Sequence, residues 1–288
     1  MKVVDRENMV WEAIENWEQS YFIGVEKNSY YSLEENLNHT IRSWRPDLQT
    51  KLLETVDSII FHTHVIIQST KYEEETALKV LDQGRVFNAN IENLADMKRL
   101  TIDQLRFISN QHLAKQRLVS LSQGGVTGIG GLFLIALDLP LILTINLRSI
   151  QLIAMTYGYD LKKPYELMLV LKVFHVATLP KTMQKEGWLC LLQELADYED
   201  EWLLFNEKNN YNSAVWLQQP IKQFGKGLML FLLRKKLIQG MPLFGMAIGA
   251  ASNYFLAKQV SEIAHNFYQK RFLLEKNNDR VKVESKFV

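Results

Sequence analysis

The sequence predicts an all-α protein, a multi-helix bundle that carries two glycine-rich apolar helical hairpin segments. Three observations predict it. Apolar residues recur at i, i+3 and i+4 along most of the chain, while no run alternates with period two between hairpin turns. Only 6 Pro and 14 Gly occur among 288 residues and no Ser/Gly/Pro-rich linker divides them, so the helices belong to one large unit. The 21 residues between Lys236 and Lys258 hold no charged side chain, and Gly124 to Leu147 holds only Asp138. A composition 47% apolar and 23% charged supplies a substantial core and excludes disorder for most of the length.

Taken in order, Arg6 to Tyr21 sets Met9, Trp11, Ile14, Trp17 and Tyr21 near one helical face, and Pro46-Asp47 opens a second amphipathic run through Leu48, Leu52, Val56, Ile59 and Ile60. A helix follows over Glu73 to Leu81. Thr101 and Gln104 form a capping-box pattern that starts the next helix, which the glycines at Gly124-Gly125 are expected to end. Pro164 suits the first turn of a helix over Tyr165 to Leu179, and further helices read from Thr182 to Phe205 and from Ser213 to Ile238. The expected organisation is an N-terminal helical extension over 1–45, a main helical domain over 46–274 and a polar tail over 275–288. Phe255, Phe267, Tyr268 and Phe272 read as core, as does the lone Cys190, which has no disulfide partner and suits a reducing compartment.

The apolar segments carry most of the functional content. Gly124, Gly125, Gly128, Gly130 and Gly131 stand within eight residues, although each glycine costs a helix interior about 1 kcal/mol relative to alanine. Close helix–helix approach offsets such a cost, and Gly245 with Gly249 repeats the small-xxx-small spacing in the second segment. Pro140 removes a donor and disfavours helical geometry at Leu139, so a helical hairpin with Asp138 at its tip is expected. Three placements fit this pattern: hairpins dipping into or lying on a bilayer, wholly buried core helices, and spanning helices. Arg148, directly after the apolar run, would cost about 3 kcal/mol at a bilayer centre and argues against a span.

Charge is distributed unevenly. Residues 1–120 hold 14 Lys+Arg and 18 Asp+Glu, residues 121–224 hold 8 and 10, and residues 225–288 hold 11 and 4. The basic excess flanks the second apolar segment, with Arg234, Lys235 and Lys236 before it and Lys258, Lys270 and Arg271 after it. Basic residues so placed suit an anionic lipid surface. Nucleic acid is not expected as a partner, because no aromatic residues interleave with the basic ones in a binding pattern. The N-terminus carries Asp, Glu and Arg where a signal peptide needs an apolar stretch. A cytoplasmic protein, peripheral to or partly embedded in the membrane, is the expectation.

At the apolar segments a family resemblance emerges. The run from Gly124 to Asp160 resembles the central signature of the EcsC family: a glycine-rich stretch, Asp-Leu-Pro, a helix carrying Arg-x-Ile, and Tyr-Gly-Tyr-Asp. Ile238 to Arg271 is similar to the family's closing helix, with Pro242, Gly245, Gly249 and Asn253 followed by Tyr268 and Arg271. A fainter likeness extends from about Pro46, through Asn93-Leu94-Ala95-Asp96 and Thr101-Ile102-Asp103, and leaves 1–45 and the tail after Leu274 uncovered. The resemblance implies an intracellular setting at a membrane face, because the family's first-named member is encoded beside the ATPase and membrane subunits of a bacterial ABC transporter linked to protein secretion. It implies no established activity. Gly128, Asp138, Pro140, Arg148, Gly158 and Asp160 carry over as signature positions only.

The motifs of common enzymes are missing. The glycine cluster lacks the Gly-Lys-Ser/Thr ending of a P-loop, and no three of its glycines fall at i, i+2, i+5. No Gly-x-Ser-x-Gly, His-Glu-x-x-His or cysteine pair occurs, and Glu262-x-x-His265 has no second copy to complete a di-iron site. No cofactor, metal or catalytic residue is therefore assigned. The leading expectation is a non-enzymatic protein that binds membrane lipid or a membrane partner such as ABC transporter subunits through Gly128, Gly131, Asp138, Pro140, Arg148, Asp160, Arg234, Lys235, Lys236, Gly245 and Gly249. The alternative is a hydrolase-like enzyme acting on a lipid or peptide, with Asp138, Arg148 or Asp160 in a pocket. For the bland roles, Asp138 is a turn residue, Arg148 pairs with a carboxylate inside the bundle, and Gly158 with Asp160 caps a helix.

Overall fold

The computed structural model describes residues 3–23, 70–127, 131–179, 181–205 and 245–284. Among these residues the chain is wholly helical. Helix α1 spans Val3–Tyr21, α2 Thr70–Phe87, α3 Ile102–Thr127, α4 Gly131–Thr156, α5 Pro164–Thr178, α6 Lys181–Phe205 and α7 Gly245–Glu284, with one 3-10 helix at Leu94–Arg99 between α2 and α3. The expected helices over 48–60 and 213–238, and the start of the second apolar segment at 237–244, lie outside the described residues.

Helix α7 is the axis of the bundle. It packs along α3 and α4 and also touches α5 and α1, while α4 lies against α3, α5 and α2. Val260, Ile263, Ala264, Phe267 and Tyr268 of α7 are completely enclosed. Phe272 is buried too, but Phe255 is 64% exposed and does not join the core expected of it. Cys190 is also exposed. Its neighbours Trp188 and Leu191 fill the inward face of α6, and at 100° per residue Cys190 falls about 200° from Trp188, on the outer side.

Local signals set several boundaries. The Thr101 backbone N–H donates to Gln104 Oε1 at 2.9 Å and Gln104 N–H to Thr101 Oγ1 at 3.4 Å, so the capping box starts α3 as its sequence suggests. Pro164 occupies the first turn of α5. Two expected breaks are absent. Helix α3 runs through Gly124-Gly125 to Thr127, and α4 runs unbroken through Asp138-Leu139-Pro140, so no hairpin tip forms at Asp138. Pro140 withholds the N–H that the Ala136 carbonyl would accept, at a cost of about 3 kcal/mol. Burial of Ile142, Leu143, Leu147, Ile150 and Ile153 just beyond it offsets that cost, at roughly 1.5–3 kcal/mol per side chain.

From Ile142 on, α4 is largely received by protein, whereas Leu141 is 47% exposed. From Gln151 to Thr156 every residue is buried, and three polar side chains of the helix bond back to its preceding turn. Asn146 Nδ2 donates to the Ile142 carbonyl at 2.7 Å, Ser149 Oγ to Ile145 at 2.8 Å and Thr156 Oγ1 to Leu152 at 2.8 Å. Polar groups satisfied by the preceding turn can sit inside a core. No helix among the described residues is long and apolar enough to cross a membrane.

Helix α1 is fastened to the rest by both kinds of contact. Val10, Ile14 and Phe22 are buried, whereas Met9, expected on the inward face, is half exposed. Trp17 meets Trp188 edge-on at 5.3 Å between ring centroids and donates from Nε1 to Glu262 Oε1 at 2.7 Å. Glu18 accepts from Trp188 Nε1 at 2.8 Å and from Lys270 Nζ at 2.5 Å, and Lys276 pairs with Glu7 at 2.6 Å.

Candidate functional site

Segments far apart in the chain meet at one groove: α2, the 3-10 helix, the turn after α4 with the start of α5, and α7. The turn exists because α4 must stop. Gly158 adopts φ +85°, its N–H donates to the Met155 carbonyl at 2.9 Å and the Tyr159 N–H to Ala154 at 3.1 Å, the paired bonds of a Schellman cap. A Cβ at Gly158 would lie 3.0 Å from the Leu94 carbonyl oxygen and 2.8 Å from Lys98 Cγ. Glycine is required there twice over, for its backbone angle and for its room. Asp160 then accepts the Lys162 backbone N–H at 3.1 Å and shapes the approach to α5. The expectation that Gly158 and Asp160 cap and turn a helix is met.

On the opposite side the 3-10 helix is pinned by its own capping box. Asn93 Oδ1 accepts from the Asp96 N–H, and Asp96 Oδ2 accepts the N–H groups of Glu92 and Asn93, each at 3.1 Å. Those bonds hold the Asp96 carboxyl below the usual carboxylate range. Lys98, one turn on, reaches Glu275 at 2.6 Å and sits 4.5 Å above the Tyr159 ring.

The floor is an ion pair buried between α5 and α7. Arg271 Nη1 and Nη2 donate to Glu166 Oε2 and Oε1 at 2.6 and 2.8 Å, and its Nε donates to Glu275 at 3.0 Å. The guanidinium also lies 3.8 Å over the Tyr159 ring. Burial alone would lower the Arg271 pKa, but the Glu166 bond and the nearby Tyr159, Glu166 and Glu275 charges outweigh it and hold the cation. This arginine is engaged on every side by the fold.

Above that floor opens a groove of about 620 Å³, a volume suited to a small ligand. One wall is apolar, with Ala77 and Leu81 of α2 facing Leu94 and Ala95 of the 3-10 helix, and the rim carries Glu73, Glu74, Glu92 and Asp160 together with Lys162 and Lys163. Burial and the neighbouring charges of Asp160 and Glu74 raise the Glu73 carboxyl above its ordinary range, with Lys162 opposing.

Of the residues singled out from sequence, the groove gathers Gly158 and Asp160. Arg148 is half buried on α4 and does not line it. Its guanidinium stands 4.0 Å over the Tyr72 ring, and among the described residues no carboxylate takes the pairing role expected of one. The aromatic face replaces it. Gly131, Asp138, Pro140, Gly245 and Gly249 lie on α4 and α7, where only the backbone is described, and Gly128, Arg234, Lys235 and Lys236 fall outside the described residues. Lys270 and Arg271, expected to face a lipid surface, turn inward to Glu18 and Glu166, while Lys258 is exposed. Glu73, Glu166, Lys98 and Lys162 went unnoticed in the sequence. Glu166 could have been suspected from its place just after Pro164 in a first helical turn, facing an otherwise apolar run.

A serine–histidine contact lies apart from the groove. Ser109 Oγ and His265 Nδ1 are 3.0 Å apart, but Ser109 is completely enclosed. No cluster of three or more metal-ligating side chains occurs among the described residues.

The model of the EcsC protein family matches residues 8–273, beginning inside α1 and ending in α7. Protein EcsC of Bacillus subtilis (strain 168) is 26% identical over 228 residues, covering 79% of this chain and 85% of that protein. The uncharacterized protein YdbA of the same organism is 28% identical over 185 residues, covering 64% of each chain, so the match spans under two thirds of that relative's length. No solved structure matches the chain.

Proposed function

The chain belongs to the EcsC protein family, and from that premise we propose that it is a non-enzymatic binding protein of the cytoplasmic membrane face, holding lipid or a membrane partner such as a subunit of an ABC transporter. The groove at the junction of the 3-10 helix, the α4 cap and α7 carries this reading. It is open and amphipathic, and its strongest cation is spent internally on Glu166 and Glu275. A preformed, rigid recess with charged rim and apolar wall suits recognition. The hydrogen-bonded serine and histidine are no substitute for a catalytic centre, because a nucleophile with no exposed surface cannot meet a substrate. Cell fractionation tests the reading: the protein is expected in the membrane pellet and released by a salt or carbonate wash. Recovery of all of it in the soluble fraction at low salt overturns the proposal.

One observation favours the hydrolase-like alternative. Glu73 and Asp160 share the groove and burial raises the Glu73 carboxyl, the direction that suits a general acid. Under this reading membrane lipids or peptides incubated with the protein yield cleaved products, and Asp160→Asn abolishes them. Absence of product from both substrate classes removes it.

A further inference from the structure

The groove's lining divides into three chemistries. With Arg271 matched by Glu166 and Glu275, and Lys98 by Glu275, the remaining rim charges are the carboxylates of Glu73, Glu74, Glu92 and Asp160 and the ammonium groups of Lys162 and Lys163. Glu73 and Asp160 come from separate elements, α2 and the turn after α4, and burial first and the Asp160 charge second raise Glu73, with Lys162 opposing. Leu81 and Leu94 provide an apolar surface in the same recess. A purely anionic ligand would meet Glu73 and Asp160, and a purely cationic one would meet the two lysines.

We propose that the groove binds an amphiphile with a zwitterionic ammonium–phosphate head: ammonium toward Glu73 and Asp160, phosphate toward Lys162 and Lys163, and the apolar root against Leu81 and Leu94. Carboxylates accept but do not donate, so they select a primary ammonium with three N–H donors over a trimethylammonium with none. This head can belong to a bilayer aminophospholipid or to a free phosphodiester. The inference rests on the membrane-face reading only for the bilayer source.

Flotation with two vesicle sets of equal anionic content tests it, one containing phosphatidylethanolamine with phosphatidylglycerol and the other phosphatidylcholine with phosphatidylglycerol. The full chain is expected to bind the first about tenfold more tightly, the discrimination that charge-assisted hydrogen bonds supply. Asp160→Asn preserves the turn through its side-chain oxygen and is expected to erase the preference between the two vesicle sets. Glu73→Gln serves the same purpose should the first variant fail to fold, as judged by circular dichroism. The double variant Lys162→Ala, Lys163→Ala is expected to weaken both. Equal binding of the wild-type chain to both sets overturns the headgroup proposal and leaves the membrane reading standing. A preference that survives both carboxylate variants overturns the assignment to this groove. Binding to neither vesicle set, with Asp160-dependent binding of free glycerophosphoethanolamine by calorimetry, supports the headgroup site and sinks the membrane reading; binding to none of the three sinks both.

Discussion

Arg271 and Glu166 are bound to each other's presence. Both are nearly enclosed, with side-chain exposures of 11% and 6%, so removing either strands a charge where water cannot reach it. Arg271→Ala is expected to lower stability by about 3–5 kcal/mol, whereas replacing both with apolar residues of similar volume costs far less or nothing. Urea unfolding of the single and double variants measures the difference. His175 makes the opposite kind of statement, since burial first and the charge of Lys172 second depress its pKa to about 4. A histidine held neutral in the fold but free to protonate when unfolded loses stability as pH falls below about 6.5, and the loss levels off once pH passes the folded value. The melting temperature should therefore drop between pH 6.5 and 4, and His175→Gln should flatten that slope. Neither residue advertised its role in the sequence: His175 sits in a run of apolar neighbours, and Arg271 stood out only by the family likeness and the basic excess, not as half of a buried pair. Pairing partners 105 positions apart leave no mark on local pattern.

At the scale of elements, local chemistry was legible where a cap is made of adjacent residues. Thr101 with Gln104, Pro164 at its first turn and Gly158 with its positive φ all act within one turn of chain. Gly158→Ala should cost about 1–2 kcal/mol for the left-handed backbone alone, and more for the approach to the Leu94 carbonyl; thermal melting reads the loss. The break assigned to Pro140 was misjudged because propensity is a local quantity and the burial of Ile142, Leu143 and Leu147 beyond it is not. Pro140→Ala restores a donor inside a continuous helix and is expected to raise stability by roughly 1–3 kcal/mol. A fall instead would mean that the proline ring itself fills space in the bundle.

Over the whole molecule, the all-helical class was readable from periodicity, yet the groove was not, because it is assembled from α2, the 3-10 helix, the α4 cap and α7. The regional charge count did not show which cations are free: Lys258 is exposed, and Arg234, Lys235 and Lys236 lie outside the described residues. The basic excess after residue 225 suggested a face for lipid, whereas Lys270, Arg271 and Lys276 are matched by Glu18, Glu166 and Glu7 across the bundle. Charge totals by region do not reveal which side chains meet. Helix α1 supplies two of those three carboxylates, and its Trp17 packs on the Trp188 ring, which in turn meets Phe267. Deleting residues 1–23 should expose that aromatic surface, raise binding of a hydrophobic dye and broaden the unfolding transition; a sharp transition at the wild-type temperature would show that α1 is dispensable to the core.

The bond from Lys270 to Glu18 spans 252 positions, and this sets a schedule on the ribosome. Helix α1 meets this partner only after the intervening chain has been made, a delay of roughly ten to fifty seconds at common elongation rates. Throughout that interval an indole-bearing segment waits unsheltered, so the cellular yield of this protein should depend on chaperone supply more steeply than the finished bundle's melting temperature would suggest.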